Sequence, residues 1–378
     1  MSLFVEFHLI QNFAPSNLNR DDTGAPKDAM FGGYRRARVS SQCFKRTIRL
    51  GADFPSQNQG VRTKKLLDLL RAQLSEQYGR ESEDVNARIE AALAAAGLKL
   101  KDDGKTEYLL FLGQQEIDAF AKLVNEHWEA LAAPASGEKK SKKDAKASAP
   151  AEVVKQAKSI MNGGKALDVA LFGRMLADLP EVNQDAACQV AHAISTHRVE
   201  REFDYFTAVD DMGGADETGA GMIGQVEFNS ATFYRYSVVD PVKLAANLQQ
   251  DKDLALTGLR ALTLATARAI PTGKQNTFAA HNPPSFIGVA IRHASPLNLA
   301  NAFEKPVYAR GGDALTSPSV AALADYDSNL SGIYGNANDA WAYIDLSGAW
   351  PAGKGEKLPS LNALADWVAA QVSAKLEQ

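Results

Sequence analysis

The sequence predicts an α+β fold built on the ferredoxin-like order β-α-β-β-α-β, with a helical insertion and a long β-hairpin added to it. Two observations predict this order. Alternating, β-branched or aromatic residues are typical of strands at 1–13, 186–196, 225–239 and 286–294. Helical periodicity indicates a short helix near residue 41 and a longer one at 241–270.

The N-terminal part predicts a strand, a loop and a short helix. Apolar and polar residues alternate through 1–13, as in a half-buried strand, and turn-forming residues then predict a polar loop at 14–38. A helix is expected to begin at Ser40 or Ser41, because an N-cap serine accepts hydrogen bonds from the free N–H groups of the first turn. The expected buried stripe of this helix is Cys43, Phe44, Thr47 and Ile48.

The middle of the chain predicts the insertion and the hairpin. Residues 62–132 are largely helical in pattern, and 132–151 is an Ala-, Ser- and Lys-rich linker or loop. Residues 166–176 fit either a strand or a short helix. Residues 199–228 have strand-like ends and a Gly/Asp-rich middle, which favours a long protruding hairpin.

The C-terminal tail, LNALADWVAAQVSAKLEQ, is expected to be an amphipathic helix. When the insertion and the hairpin are set aside, the strands and helices follow the order that RNA-recognition modules also use.

Charge is unevenly distributed. The chain has a formal net charge of -4, yet no acid occurs between Asp28 and Asp53. That interval contains the basic residues Arg35, Arg36, Arg38, Lys45, Arg46 and Arg49. A basic cluster on an acidic protein is typical of a phosphate-backbone partner, and the alternative is a solvated basic face.

Composition narrows the class of protein. No apolar run approaches the roughly 18 residues that a membrane span needs, and the N-terminus lacks the features of a signal peptide. Cys43 and Cys188 form neither a disulfide framework nor a zinc spacing, which favours a reduced, cytoplasmic environment. We therefore expect a cytoplasmic protein with no membrane partner, no metal and no cofactor.

Motifs for catalysis and nucleotide binding are weak. The GxGxxG match at 219–224 is rejected as a dinucleotide site because a strand, not a helix, is expected to follow it. His192 and His197 raise the alternative of a ribonuclease, helped by an acid from 210–211. Five residues apart on one strand, these histidines would face opposite sides, so structural roles are favoured.

Three further side chains are candidates for contacts with nucleic acid. Tyr205 and Phe206 on the hairpin either stack on a nucleic-acid base or anchor the hairpin to the core. Met175 is, by composition alone, most often a core residue.

Longer blocks of sequence carry a resemblance to a known family. They are LNRDD from Leu18, PKDA from Pro26, FGG from Phe31, RxRVSSQ from Arg36, KR at Lys45, LxGRM from Leu171, AHAISTH from Ala191, DYFTAVDD from Asp204, QVEF from Gln225, FYRY from Phe233, KQNTFAA from Lys274 and NAFEK from Asn301. By these blocks the chain resembles the CasC family, the backbone subunits of the type I-E CRISPR Cascade.

The resemblance implies a hand-shaped protein with an RRM-like palm (1–58, 188–198 and 228–378), helical fingers (59–187) and a thumb hairpin (199–227). It implies a non-catalytic scaffold in antiviral defence, not an enzyme. Its copies would stack along one CRISPR RNA as a helical filament with other Cascade subunits. Each thumb would displace one nucleotide at a regular period and leave the other bases to pair with target DNA.

The resemblance also implies site residues. Those for the guide backbone are Arg20 and Lys27 in the N-terminal loop, then Ser40, Gln42, Lys45, Arg46 and Arg49 at the palm helix. Met175 would pack against the kinked guide, and Tyr205 and Phe206 would wedge at the displaced nucleotide. A tryptophan is expected at the position of Tyr205, so the ring here is smaller than in that pattern. The 132–151 stretch is not part of the pattern.

Overall fold

The computed structural model describes residues 3–132, 149–161, 164–176, 179–208, 222–309, 314–334 and 339–376. The strands are β1 (Phe4–Ser16), β2 (Asp28–Phe31), β3 (Tyr34–Val39), β4 (Gly60–Thr63), β5 (Leu110–Gly113), β6 (Cys188–Val190), β7 (Ala193–Ser195), β8 (Glu202–Ala208), β9 (Met222–Val239), β10 (Phe286–Arg292), β11 (Ala340–Asp345) and β12 (Glu356–Lys357). The helices are α1 (Ser41–Arg49), α2 (Leu66–Tyr78), α3 (Val85–Ala95), α4 (Gln114–Glu126), α5 (Ala151–Ile160), α6 (Leu167–Phe172), α7 (Pro241–Asn247), α8 (Lys252–Arg268), α9 (Gln275–Phe278), α10 (Thr316–Tyr334) and α11 (Leu361–Leu376).

The predicted α+β class is confirmed, and the chain divides into two compact units. The first unit comprises Met1–Phe54, Cys188–Val242 and Leu256–Gln378, and the second comprises Pro55–Ala187 and Lys243–Ala255. Within the described ranges, no helix has the length and apolar character needed to cross a membrane.

A large, mainly antiparallel sheet forms the first unit. Its strand order is β12-β11-β10-β1-β9-β7-β3-β2, and β6 and β8 also pair with β9. β1 lies at the centre, hydrogen-bonded to β10 on one side and β9 on the other. The expectation of a half-buried first strand was wrong, because both faces of β1 are covered, and even Glu6 and His8 are fully buried.

Hydrogen bonds make the burial of these polar groups possible. The Tyr236 hydroxyl donates to Glu6 Oε1 at 2.9 Å, and Arg292 Nε donates to Glu6 Oε2 at 2.8 Å. Arg292 also reaches Asp327 at 2.7 Å. Burial alone would raise the pKa of Glu6, but His8 and Arg292 outweigh it and hold that pKa below its ordinary value.

The expected loop at 14–38 was also wrong over much of its length. β1 continues to Ser16, and β2 and β3 form a hairpin with Phe31 opposite Tyr34. The two residues between the strands, Gly32 and Gly33, have φ of +58° and +80°. Positive φ at both central residues defines the two-residue turn that fits the twist of a hairpin, and glycine adopts it at little cost.

Around the long strand β9, two predictions are confirmed and one is corrected. β9 spans the predicted 225–239 strand, and β8 pairs with it antiparallel, so the predicted hairpin exists; its middle, 209–221, lies outside the described residues. The single strand expected at 186–196 is instead two short strands, β6 and β7, separated at residues 191–192. His192 and His197 therefore do not share a strand.

The second unit is the predicted helical region. Helices α2 to α5 pack around one apolar core that includes Leu70, Ile89, Phe120 and Val153. The sequence did not predict the short antiparallel pair β4–β5, and 166–176 contains the short helix α6 instead of a strand. Of the 132–151 stretch, 133–148 lie outside the described residues.

The C-terminal third confirms the strand β10, the final helix α11 and the helical character of 241–270. The single helix expected at 241–270 is instead two helices, α7 and α8, because Gln249 and Gln250 between them have positive φ. The C-terminal third also contains α10 and β11, which the βαββαβ outline did not include. α10 buries Val320 and Leu323 against the sheet-side cluster around Phe303 and Trp341, which completes that layer of the core.

Candidate nucleic-acid interface

Asn19 connects the N-terminal loop, which contains Arg20 and Lys27, to the start of α1. The Lys27 N–H donates to the Asn19 carbonyl at 2.9 Å, and the Ser40 N–H donates to Asn19 Oδ1 at 2.9 Å. Arg20 forms a backbone bridge with Pro26, which closes the loop. Two segments about twenty residues apart in sequence are thereby held together. Apart from the place of Asn19 in the LNRDD block, no local pattern indicates this role.

α1 presents a free, positively polarised N-terminus beside this loop. Ser40 is the N-cap, as predicted, and its hydroxyl accepts from the Cys43 N–H at 3.4 Å. The first turn contains no acid. Partial positive charge at a helix N-terminus favours an anion, and here no acidic side chain of the first turn occupies that position.

The sheet side of α1 is fixed by burial. Phe44 and Ile48 are buried, while Cys43 and Thr47 are only half-buried. The guanidinium of Arg235 lies 4.1 Å from the centre of the Phe44 ring, and burial lowers the pKa of Arg235 to about 9. Because α1 is held on this side, Gln42 and Arg46 stay exposed on the other.

Several of the predicted cations lack an acidic partner. Among the described residues, no carboxylate lies within 4.0 Å of the charged groups of Arg20, Lys27 or Arg46. By contrast, Arg35 forms an ion pair with Asp28. Unpaired surface cations are the ones whose charge remains available for a phosphate.

The basic run does not form one uniform surface. Arg36 is fully buried and donates to the Phe303 carbonyl at 2.7 Å and the Ser195 carbonyl at 3.1 Å. Arg49 is buried as well, and Lys45 is half-buried. Among these three, Arg36 acts as a structural residue, and the predicted roles of Lys45 and Arg49 remain predictions.

A further lysine adjoins this surface. The loop before α9 packs on the N-terminal loop so closely that a Cβ on Gly273 would lie 2.2 Å from the Leu18 carbonyl oxygen. The next residue, Lys274, has φ of +49°, a left-handed conformation that a lysine rarely adopts. Lys274 belongs to the KQNTFAA block, but no role was predicted for it.

The two predicted wedge residues lie on opposite faces of the β8–β9 ribbon. Tyr205 pairs with Gln225 and is 64% exposed, whereas Phe206 pairs with Gly224 and is 39% exposed. A Cβ on Gly224 would lie 2.2 Å from the Phe206 ring, so the ring lies directly across the glycine. Neither residue anchors the hairpin to a core, so that alternative is not supported.

The base of the hairpin is tied to β2 by charge. Arg201 donates to Asp28 at 2.7 Å and to Glu227 at 3.0 Å. Partial burial would raise the pKa of Asp28, but the hydrogen bonds from Arg35 and Arg201 outweigh it and lower that pKa. The hairpin therefore leaves the sheet in a fixed direction at its base.

Met175 lies in the second unit, where it is 84% exposed and not a core residue. The neighbouring Arg174 is buried and donates to Glu116 at 2.9 Å and to the Met161 carbonyl at 2.6 Å. Burial raises the pKa of Glu116 in spite of this ion pair. The exposed thioether of Met175 therefore follows a residue that buried hydrogen bonds hold in place.

The two histidines have structural partners. His197 Nδ1 donates to the Arg198 carbonyl at 2.7 Å, and the Thr232 N–H donates to His197 Nε2 at 3.2 Å, so both ring nitrogens are engaged. Burial, and then the charge of Arg36, keep the pKa of His197 below its ordinary value. His192 Nδ1 lies 3.0 Å from the guanidinium of Arg38. Across the described residues, no cluster of three or more His, Cys, Asp or Glu could hold a metal ion.

Comparison with known proteins identifies the class. The family model of CT1975-like proteins matches residues 5–368, and the chain therefore belongs to this family. A search of curated proteins found no match.

Solved structures are similar along almost the entire chain. One chain of a "CRISPR RNA-guided surveillance complex, pre-nicking" superposes with a TM-score of 0.85 and 31% identity, covering 97% of this chain and 99% of that chain. A chain of a "CRISPR RNA-guided surveillance complex" gives a TM-score of 0.76 and 28% identity, with 97% and 99% covered. The predicted resemblance to a CRISPR complex subunit is confirmed at this level, while the type I-E subtype stays a prediction.

Proposed function

We propose that this protein is a non-catalytic CRISPR RNA-binding scaffold, a backbone subunit of a Cascade surveillance complex of the type I-E kind. Copies bind side by side along one guide RNA, and each hairpin displaces a nucleotide at a regular period. The remaining bases stay free to pair with target DNA. The similarity to chains of CRISPR RNA-guided surveillance complexes supports the setting.

One observation carries the proposal: the surface formed by the N-terminal loop and α1. There Arg20, Lys27 and Arg46 have no carboxylate partner among the described residues. Arg20 and Lys27 lie in the loop that Asn19 ties to the N-terminus of α1, whose first turn has no acid, and Arg46 lies in the last turn of the same helix. Arginine grips phosphate bidentately, lysine acts as a point charge, and helix N–H groups bind phosphate oxygens. This combination suits a sugar–phosphate backbone.

A scaffold for guides of arbitrary sequence has to hold the backbone and leave the base edges unread. The site fits this requirement, because it presents unpaired cations, a capped helix end and the amide of Gln42, none of which needs a particular base. The aromatic side chains lie instead on the hairpin, where stacking tolerates any base.

The rival function is a ribonuclease with an RRM-like fold that uses His192 or His197. A general base needs a ring nitrogen within reach of substrate, but both nitrogens of His197 are hydrogen-bonded within the protein. His192 faces the guanidinium of Arg38, and this charge adds to partial burial in lowering its pKa. The acids at 210–211 that were considered as helpers lie outside the described residues.

The test compares binding with cleavage. Three guide RNAs of unrelated sequence are titrated with wild-type protein, with the Lys45→Ala/Arg46→Ala variant, and with a control, Arg71→Ala, whose charge is already paired with Asp68 in the second unit. We expect similar wild-type affinities, a uniform loss in the double variant and little change in the control. RNA integrity is followed with and without divalent metal. Loss for one guide only, or cleavage by the protein, contradicts the proposal.

A further inference from the structure

A third exposed ring, that of Phe203, lies on the hairpin besides Tyr205 and Phe206, and the proposed function gives it no role. Phe203 is 59% exposed, close to the 64% of Tyr205. The two residues are two positions apart on β8, so their side chains lie on the same face of the ribbon, whereas Phe206 lies on the other. One face therefore presents two rings in a row.

The two faces differ in charge. On the face with Phe203 and Tyr205, the facing residue of β9 beside Phe203 is Glu227, and the 3.0 Å ion pair with Arg201 neutralises it. On the opposite face, Glu202 and Asp204 are exposed, and neither forms a salt bridge with a described residue. A polyanion is repelled less by the two-ring face than by the acidic face.

Geometry indicates what the two rings would cover. Residues two apart on a strand are separated by about 6.7 Å along it, so their side chains lie side by side over one flat surface. Successive bases in a strand lie above one another, whereas the two bases of a pair lie side by side in one plane. Two rings in a row on a ribbon therefore match a base pair better than two stacked bases.

We propose that the face formed by Phe203 and Tyr205 stacks on a guide–target base pair beside the displaced nucleotide, with one ring against each base. This inference rests on the proposed function and adds a role to it. The hairpin contributes to the capture of complementary DNA as well as to shaping the guide. Before target binds, only one base is present and one ring stays uncovered.

The experiment separates guide binding from target binding. Protein is assembled on a guide RNA, and the affinities for the guide and for complementary DNA are measured separately by fluorescence anisotropy. The variants are Phe203→Ala, Phe203→Tyr and Tyr205→Ala, with Leu109→Ala as a control for loss of an exposed apolar side chain elsewhere. 2-Aminopurine at successive positions of the DNA strand reports stacking directly.

For Phe203→Ala we expect complementary DNA to bind at least about tenfold more weakly, since one base–aromatic stack is lost per copy. The guide affinity should change by no more than about twofold, because phosphates dominate it. Phe203→Tyr should restore target binding, and Leu109→Ala should match wild type. The periodic quenching of 2-aminopurine seen with wild type should weaken in the alanine variants.

Three outcomes overturn the inference. If guide binds normally and both target affinity and quenching are unchanged in Phe203→Ala, the two-ring face does not stack on the pair. If Phe203→Ala alters the self-association of the protein without RNA and spares target binding, that face binds a second copy instead. If wild-type protein fails to bind the guide at all, the proposed function fails first, and the inference fails with it.

Discussion

Removal of the unpaired cations is the sharpest test of the proposed binding of RNA by this protein. In the variant Arg20→Ala/Lys27→Ala/Arg46→Ala, three charges that no described carboxylate neutralises are lost together. A cation that contacts a phosphate of a single strand releases about 0.7 counterion, so the slope of log K against log salt should become shallower by about 2. When the salt concentration rises from 0.05 M to 0.2 M, the affinity of both proteins for RNA should fall. The factor by which it falls should be about 20-fold smaller for the variant than for wild type.

The assay is a guide-RNA titration at four or more salt concentrations, with thermal melts to verify that each variant is folded. Arg35→Ala is the matched control, because its guanidinium lies on the neighbouring strand β3 but is paired with Asp28. We expect the control slope to stay close to that of wild type. An unchanged slope in the triple variant, or an equal change in the control, would refute the assignment of these three cations to phosphate contacts.

Further predictions concern the hairpin, the buried ion pair between Glu116 and Arg174 next to Met175, and the dependence of stability on pH. Gly224→Ala should push the Phe206 ring away and reduce nucleotide displacement, measured by 2-aminopurine fluorescence in the guide, while guide affinity stays near wild type; unchanged fluorescence contradicts the packing. Glu116→Ala leaves the buried charge of Arg174 unpaired and should lower the free energy of unfolding by about 3–5 kcal/mol, measured by urea denaturation. A decrease of less than about 1 kcal/mol would contradict this prediction. Because the pKa of His197 is lowered in the folded state, the unfolded state takes up a proton first as pH falls below about 6.5, so stability should decrease there. His197→Asn should flatten this decrease in thermal melts, and an identical pH profile in the variant would contradict it.

Local signals in the sequence were sufficient for some elements. The N-cap at Ser40 and the helix after it depend on contacts within a few residues, and the pattern of β9 is strong enough to survive any tertiary context. The hairpin arms followed from the same alternation. These are the elements whose hydrogen bonds or periodicity can be read from neighbouring residues.

Other elements depend on tertiary contacts that no local pattern shows. β3 was included in the predicted loop at 14–38 because turn-forming residues surround it, yet it is a strand of the sheet. Its Arg36 is buried and donates to carbonyl groups more than 150 residues away. Glu6 gives β1 the pattern of a half-buried strand, although its carboxylate is satisfied by Tyr236 and Arg292 across the sheet. Buried polar residues are tolerated where distant partners satisfy them. The local pattern therefore predicted β1 as a strand but not its full burial, and it did not predict β3.

The candidate site shows the same division. The positions of Gln42 and Arg46 followed from the helix, whereas the role of Asn19 in joining loop and helix required the fold. The opposite facing of Tyr205 and Phe206 was available from the sequence, because adjacent residues of a strand point to opposite faces.

The central claim is that several copies of this protein bind along one guide RNA without cutting it. Light scattering of the purified protein, alone and with a long CRISPR-type RNA, followed by nuclease footprinting, tests this claim most directly. We expect stepwise growth in mass, protection of the RNA at a regular period and intact RNA. A low-order complex without periodic protection, or RNA cut by the protein itself, would contradict it.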